Sequence, residues 1–237
     1  MLLLGLDIET SDCPHERDPE NRTAIIEVGA VLYDWKKKTP VEIMNFLVRP
    51  YHKRFKLNRF VKDLTGITDQ MLKDHGHDIK EVLATLAKLA RKADYMVGHN
   101  GREFDQMMIE KESKRFNIDF PEKIMIDTLK DIHYPDTCKY KNLTYLAGYH
   151  GIIAGQHRAL FDVFTMMNLL ALYDVKKIIS KMESSKKLIK AERGRDRELL
   201  KSFGFNWNRS KRRWEKEIFS WEYQRLKKNL PFRIKMA

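Results

Sequence analysis

The chain has 237 residues, 43% of them hydrophobic, enough for one ordinary domain with a real core and a small second unit. Two cysteines, Cys13 and Cys138, exclude a disulfide framework and a C-x-x-C zinc site, and no apolar run approaches the roughly 18 residues of a membrane span. The formal net charge of +12 is uneven: residues 1–174 hold 25 Lys/Arg against 26 Asp/Glu, residues 175–237 hold 20 against 7, and such asymmetry points to a polyanionic partner.

The apolar opening, Met1 to Leu6, lacks the basic leader of a signal peptide, so a soluble, cytoplasmic protein is expected. Leu2 to Thr10 is an apolar run broken by Asp7 and Glu9, the pattern of a strand buried on both faces in mid-sheet. Cys13 to Thr23 is polar, holds two prolines and reads as a loop. Ala24 to Tyr33 and Val41 to Val48 are β-rich, with Lys36 to Pro40 as the turn between them, which predicts a three-stranded meander. The period then becomes helical at Val82, Leu83, Leu86, Leu89 and Ala90. Tyr95 to Gly98 predicts a short strand leading into a helix through Met107, Met108 and Phe116, and Ile124 to Ile126 another short strand. Leu143 to Gly148 reads as helical, and Ala159, Val163, Met166, Met167 and Leu170 mark a further amphipathic helix. Three antiparallel strands followed by alternating strands and helices predict an α/β fold with a mixed sheet over residues 1–174.

Residues 175–192 are Lys/Ser-rich and read as a linker or exposed helix. Residues 193–237 read as a small basic α+β appendage, with a short helix ending at Gly204. A hairpin follows, formed by Phe205 to Trp207 and Arg213 to Ile218. Three of the chain's four tryptophans, Trp207, Trp214 and Trp221, lie here.

Three segments carry acids that can do chemistry. Asp7 and Glu9, two apart on a strand, point to the same face. Two ionised carboxylates that close repel each other, and a divalent cation between them removes the conflict; Mg²⁺ suits oxygen ligands. The same spacing also fits acids at an exposed strand end. In Val97 to Asp105, a strand runs through a turn into a helix, which puts Asp105 in the first turn, where the helix dipole favours an anion. Asp105 is equally an ordinary helix-start acid, and Phe104 ordinary core. In Gly155 to Asp162, one continuous helix would set His157 and Asp162 about 140° apart. Gly151 and Gly155 instead place His157 on a loop just before the helix, free to reach a site that Asp162 faces. A lone histidine before a helix is also common on a plain surface.

Together, Asp7-Ile8-Glu9-Thr10, His99 to Asp105 and His157 to Asp162 resemble the three motifs of DEDDh 3′–5′ exonucleases. Ile25 to Ala30, Thr65 to Thr68, Ile126 to Leu129 and Asn142-Leu143 match further, and the resemblance covers residues 1–174. Arg158 stands where a sister branch carries tyrosine, so the histidine branch is indicated. Ser11 and Asp12 depart from the Thr-Gly that often follows the first motif. The resemblance implies an RNase H-like five-stranded mixed sheet. It implies two Mg²⁺ ions, replaceable by Mn²⁺: Asp7, Glu9 and Asp162 hold one, and Asp7 bridges to a second supported by Asp105. His157 is implied as the general base, and Thr10 (through its backbone), His99, Asn100 and Phe104 as the hold on the terminal nucleotide. Asp127 is read as structural.

The expected activity is 3′–5′ hydrolysis of DNA, single-stranded above all, releasing nucleoside 5′-monophosphates; RNA trimming is the alternative. In the appendage, Trp207, Arg212, Arg213 and Trp214 are expected to grip the strand, cations on phosphates and aromatic faces on unpaired bases. The expected partner is nucleic acid, DNA before RNA, with replication or repair proteins as candidate protein partners. Two other readings compete: a non-catalytic nucleic-acid-binding protein on the same fold, and a protein bound to an anionic membrane. All five motif residues are present, against the first. The tryptophans fall in hairpin-like segments rather than on one long amphipathic helix, against the second.

Overall fold

The structure is a computed structural model and describes residues 1–12, 23–52, 55–155, 157–191, 197–220 and 222–237. Of the loop expected from Cys13 to Thr23, residues 13–22 lie outside the described residues, as does the tryptophan at 221. The chain divides into two compact units, Met1–Asp174 and Val175–Ala237.

The first unit runs β1 (Leu2–Thr10), β2 (Ile25–Asp34), β3 (Thr39–Leu47), α1 (Arg59–Thr65), α2 (Asp69–His75), α3 (Ile79–Lys92), β4 (Tyr95–Gly98), α4 (Asp105–Phe116), β5 (Met125–Asp127), α5 (Leu143–Tyr149) and α6 (Ala159–Leu170). The strands lie in the order β3-β2-β1-β4-β5. The first three form the expected meander, antiparallel throughout, and β4 and β5 continue parallel to β1. This is the five-stranded mixed sheet that the motifs imply.

The central position of β1 explains its apolar sequence, because helices cover both faces. Leu4, Leu6 and Ile8 pack in one core with Val82, Leu83 and Leu86 of α3 and Met108 and Ile109 of α4. The alternate residues face α6: a side chain at Gly5 would meet Val163 and Met167. Asp7 and Glu9 share the parity of Gly5, so the pleat alone aims both acids at the α6 side. Helices α1 and α2 have no counterpart in the sequence reading. Each has seven residues and together they bury only Val61, Thr65 and Leu72, too few to show a period. They are set instead by caps at Asn58 and Thr68, whose side chains accept from Phe60 and Met71 N–H.

The second unit contains α7 (Val175–Ser184), β6 (Lys186–Ala191), α8 (Arg197–Ser202), β7 (Asn206–Asn208), β8 (Arg213–Phe219), α9 (Glu222–Asn229) and β9 (Ile234–Met236). Its antiparallel sheet has the order β7-β8-β6-β9. The expected hairpin is β7–β8, and Gly204 follows α8 with φ 74°. The segment 175–192 differs from a linker or exposed helix. Val175, Ile178 and Met182 bury one face of α7, and β6 is an inner strand that buries Ile189 and Ala191. Its lysines hid the alternation, because Lys186, Lys187 and Lys190 surround a single buried isoleucine. Ile189, Leu200, Phe205, Ile218, Phe232 and Ile234 give this unit its own core.

Candidate active site

The site is built where α6 meets the β1–β2 ladder. Gly29 lies opposite Asp7 and Glu27 opposite Glu9. A Cβ on Gly29 would sit 2.4 Å from the backbone of Ala159 and Leu160, so glycine alone admits this approach of α6. Glu27 then fastens the helix start. Its buried carboxylate accepts from Arg158 Nη2 at 2.6 Å and Nε at 3.0 Å, and from the Ala159 N–H at 3.0 Å. One turn later α6 presents Asp162. Ligand oxygens of Asp7, Glu9 and Asp162 all lie within 4.8 Å of one another.

Asp105 approaches from the first residue of α4 and is buried. Its Oδ1 accepts the Ile8 N–H at 2.9 Å, which ties it to the strand between Asp7 and Glu9. His157 precedes α6 in a left-handed conformation, φ 50°, and its backbone N–H bonds the Asp162 carboxylate. The four acids and His157 line one cleft of about 580 Å³, with His99, Asn100, Phe104, Asn142, Leu143 and Thr144. The segment spacing thus brings together all five residues expected to carry the chemistry.

The acids are electrostatically frustrated. Burial, then repulsion by Asp105, Glu9 and Asp162, holds the Asp7 carboxyl well above its ordinary range. Burial and the same crowding, Asp162 first, push Glu9 up to about 8, although the Arg158 guanidinium pulls it down. Asp162 rises to about 6 through burial and Glu27, against the bond from His157 N–H. Asp105 is raised by burial despite its backbone bonds. Four such carboxylates hold their charge together only beside compensating cations, and an all-oxygen set with water access suits Mg²⁺ or Mn²⁺. The residues therefore fit divalent-ion binding. Asp105 stands apart from the close trio, and its Oδ1 is already engaged, so it can offer one oxygen.

The residues expected around the terminal nucleotide divide. Asn100 and Phe104 line the cleft, Asn100 in a left-handed turn held by Asp127 Oδ1, which accepts its N–H at 3.0 Å. Asp127 is wholly buried and also accepts from Leu129 N–H, a bracing role for the loop after β4. His99 lines the cleft, but both ring nitrogens are taken. Nε2 lies 2.8 Å from the Lys141 carbonyl, which can only accept, so Nε2 carries the proton. Burial lowers the pKa of the ring, and Nδ1 lies 2.8 Å from the Thr128 hydroxyl oxygen, which itself donates to the Gly98 carbonyl. Only the ring face of His99 is left for a ligand. Thr10 is buried, does not line the cleft, and donates its hydroxyl to the Asp12 carbonyl.

In the second unit, Trp207 is 47% exposed, and Arg212 is exposed in the β7–β8 turn. Trp214 packs on the unit's core, 5.6 Å from the Trp207 ring. Arg213 is drawn to Glu215 at 2.5 Å, so its charge is largely spent within the unit. Sequence reasoning gave Glu27, Asn142 and Thr144 no role. Glu27 had a signal, a lone acid in the run Ile25 to Leu32, and Asn142 had another, an N-cap residue before Leu143.

A family model described as Exonuclease (RNase_T) matches residues 4–170. No curated protein matches the chain. Among solved structures, E. coli exonuclease I in its zinc-bound complex with single-stranded DNA is 16% identical, with TM-score 0.63. The match covers 81% of this chain and 48% of that one. The nuclease domain of 3′hExo, a DEDDh family member bound to rAMP, is 18% identical, with TM-score 0.59 and coverage of 72% and 90%. A 3′-exonuclease described with a histone mRNA stem-loop is 19% identical, with TM-score 0.59 and coverage of 72% and 62%. The chain spans about half the length of the exonuclease I structures it matches. The family model spans most of the chain, and the chain belongs to the RNase T-type exonuclease family that it describes.

Proposed function

We propose that this protein removes nucleotides one at a time from the 3′ end of single-stranded DNA, releasing nucleoside 5′-monophosphates. The observation that carries this reading is the convergence of Asp7, Glu9, Asp105, Asp162 and His157 on one open cleft. Asp7, Glu9 and Asp162 would hold one divalent ion, and Asp7 with the free oxygen of Asp105 a second. Two such ions, when bound, supply the positive charge that stabilises the attacking and leaving oxygens of an in-line displacement. Asp7, Glu9 and Asp162 would set where that charge sits. His157, whose loop is tied to Asp162, would take the proton of the attacking water as general base. Asn100, Phe104 and the face of His99 would bracket the terminal nucleotide. In the second unit, Trp207 and Arg212 would bind single strands, the one by stacking and the other on phosphate.

In favour of DNA, the exonuclease I structures, which match 80–81% of this chain, are described with single-stranded or oligo-dT DNA; in favour of RNA, those matching 72% are described with a histone mRNA stem-loop or rAMP. The test is incubation of 5′-labelled DNA and RNA strands, single- and double-stranded, with Mg²⁺, Mn²⁺ or EDTA. A DNA ladder shortening by single nucleotides in Mg²⁺ and none in EDTA is expected. A ladder on RNA alone would reassign the substrate, and internal cuts or no cuts would end the exonuclease reading.

A further inference from the structure

We propose that Tyr140, Tyr145 and Tyr149 form a stacking track for the unpaired nucleotides that precede the 3′ end held in the cleft. The inference rests on the exonuclease reading above and adds a binding surface to it. The three rings run in a row: Tyr140 meets Tyr145 edge-on at 5.2 Å between centroids, and Tyr145 stacks on Tyr149 at 6.3 Å. Tyr140 is 62% exposed and Tyr149 41%.

The row begins at the cleft wall. Asn142, Leu143 and Thr144 line the cleft, and Tyr140 and Tyr145 flank them in the chain. This wall is pinned from inside, because the Lys141 carbonyl is bound by His99 Nε2 and the Asn142 side chain accepts the Tyr145 N–H at 2.9 Å. The rings are pinned too. The Tyr149 hydroxyl bonds Thr137 Oγ1 at 2.5 Å, and Tyr149 packs edge-on against His150, which is anchored to Tyr173. Aromatic faces held in place and left open to water suit bases that have no partner strand.

The charge agrees with a strand of phosphates. Lys139 and Lys141 flank Tyr140, both exposed, and neither forms an ion pair among the described residues. Asp136 is the single acid between positions 133 and 149. An apolar protein ligand would gain nothing from the two lysines, whereas a backbone crossing Tyr140 passes between them.

The experiment uses the full chain, with Ca²⁺ in place of Mg²⁺ and 5′-fluorescein oligothymidylates of three and twelve nucleotides, read by anisotropy. Tyr140→Ala/Tyr149→Ala should raise the Kd for the twelve-mer about tenfold, as expected for lost stacking, and leave the three-mer unchanged. Tyr140→Phe, which keeps the ring and leaves the Tyr149–Thr137 bond intact, should bind both as the parent does. An unchanged twelve-mer, an equal loss on both lengths, or an equal loss in the Phe variant would overturn the track. If the double Ala variant does not fold, Tyr140→Ala alone decides: its hydroxyl makes no hydrogen bond among the described residues, and about a threefold length-dependent loss is expected. Cleavage by the parent in Mg²⁺ tests the exonuclease reading separately, so absence of cleavage and absence of the length effect have different meanings.

Discussion

Gly29 lies directly across the β1–β2 ladder from Asp7, and the missing side chain there is what lets α6 bring Asp162 to Asp7. Gly29→Ala would place a Cβ 2.4 Å from the backbone of Ala159 and Leu160, which no rotamer change relieves. The expected cost is roughly 1–3 kcal/mol of stability, as for an overpacked core. Turnover should fall more than stability does, because the helix start carries both His157 and Asp162. Urea unfolding beside strand shortening checks this; a variant with parental activity would show that the close approach is not needed.

Asp7→Asn should abolish turnover and yet raise the melting temperature of the metal-free protein. The variant keeps the shape and removes one of the carboxylates that repel each other in a buried site. Thermal unfolding in EDTA and cleavage in Mg²⁺ are the two measurements. More than a few per cent of parental activity would remove Asp7 from the centre of the mechanism.

The metal-free protein should lose stability as pH rises. Glu9 titrates near 4.5 when unfolded and about 8 when folded, and Asp162 near 3.8 and about 6. A carboxyl raised by folding binds its proton more tightly in the native state. That contribution is complete below the unfolded value and is lost as pH climbs through the folded one. In EDTA the melting temperature at pH 5 should therefore exceed that at pH 8. Mg²⁺ should narrow the gap by binding the ionised native form. A flat profile in EDTA would mean that the acids are better solvated than their burial indicates.

His157→Ala should slow cleavage by roughly 10²–10⁴-fold, the usual contribution of a general base, with little change in metal affinity. Single-turnover rates and calorimetric Mn²⁺ titration separate the two effects. Weakened metal binding with parental turnover at saturating metal would make His157 a ligand instead.

Trp207→Ala/Arg212→Ala should weaken binding to long single strands and leave cleavage of a dinucleotide unchanged. Losing one phosphate contact should reduce the slope of log K against log salt by about 0.7 in magnitude. An unaltered slope and affinity would assign the hairpin to another role.

The sequence carried the first unit well where one residue pattern had one physical cause. The apolar run around Asp7 and Glu9 is what a central strand must be, and Gly151 and Gly155 already implied a loop before the helix that bears Asp162. It carried least where patterns were short or masked. Neither α1 nor α2 buries enough to show a period, and the lysines of β6 concealed an inner strand. Partners are the other gap. Arg213 and Trp207 look alike in the sequence as binding residues, but only the fold shows that Glu215 occupies one and solvent faces the other. The same holds for His99, whose two nitrogens are claimed by a threonine and a carbonyl far away in sequence.

The tie between Asp105 and the Ile8 N–H has a further consequence. It spends one carboxylate oxygen on the strand that bears Asp7 and Glu9, so these acids are mounted on a common frame and move as one body. Metal-free, that frame stores repulsion that the fold would shed by losing any one of the acids. Natural drift in a lineage released from selection for hydrolysis would thus run downhill, toward stable proteins that keep the cleft and have lost the chemistry. Keeping all four acids would then reflect what the cleft holds rather than what the fold prefers.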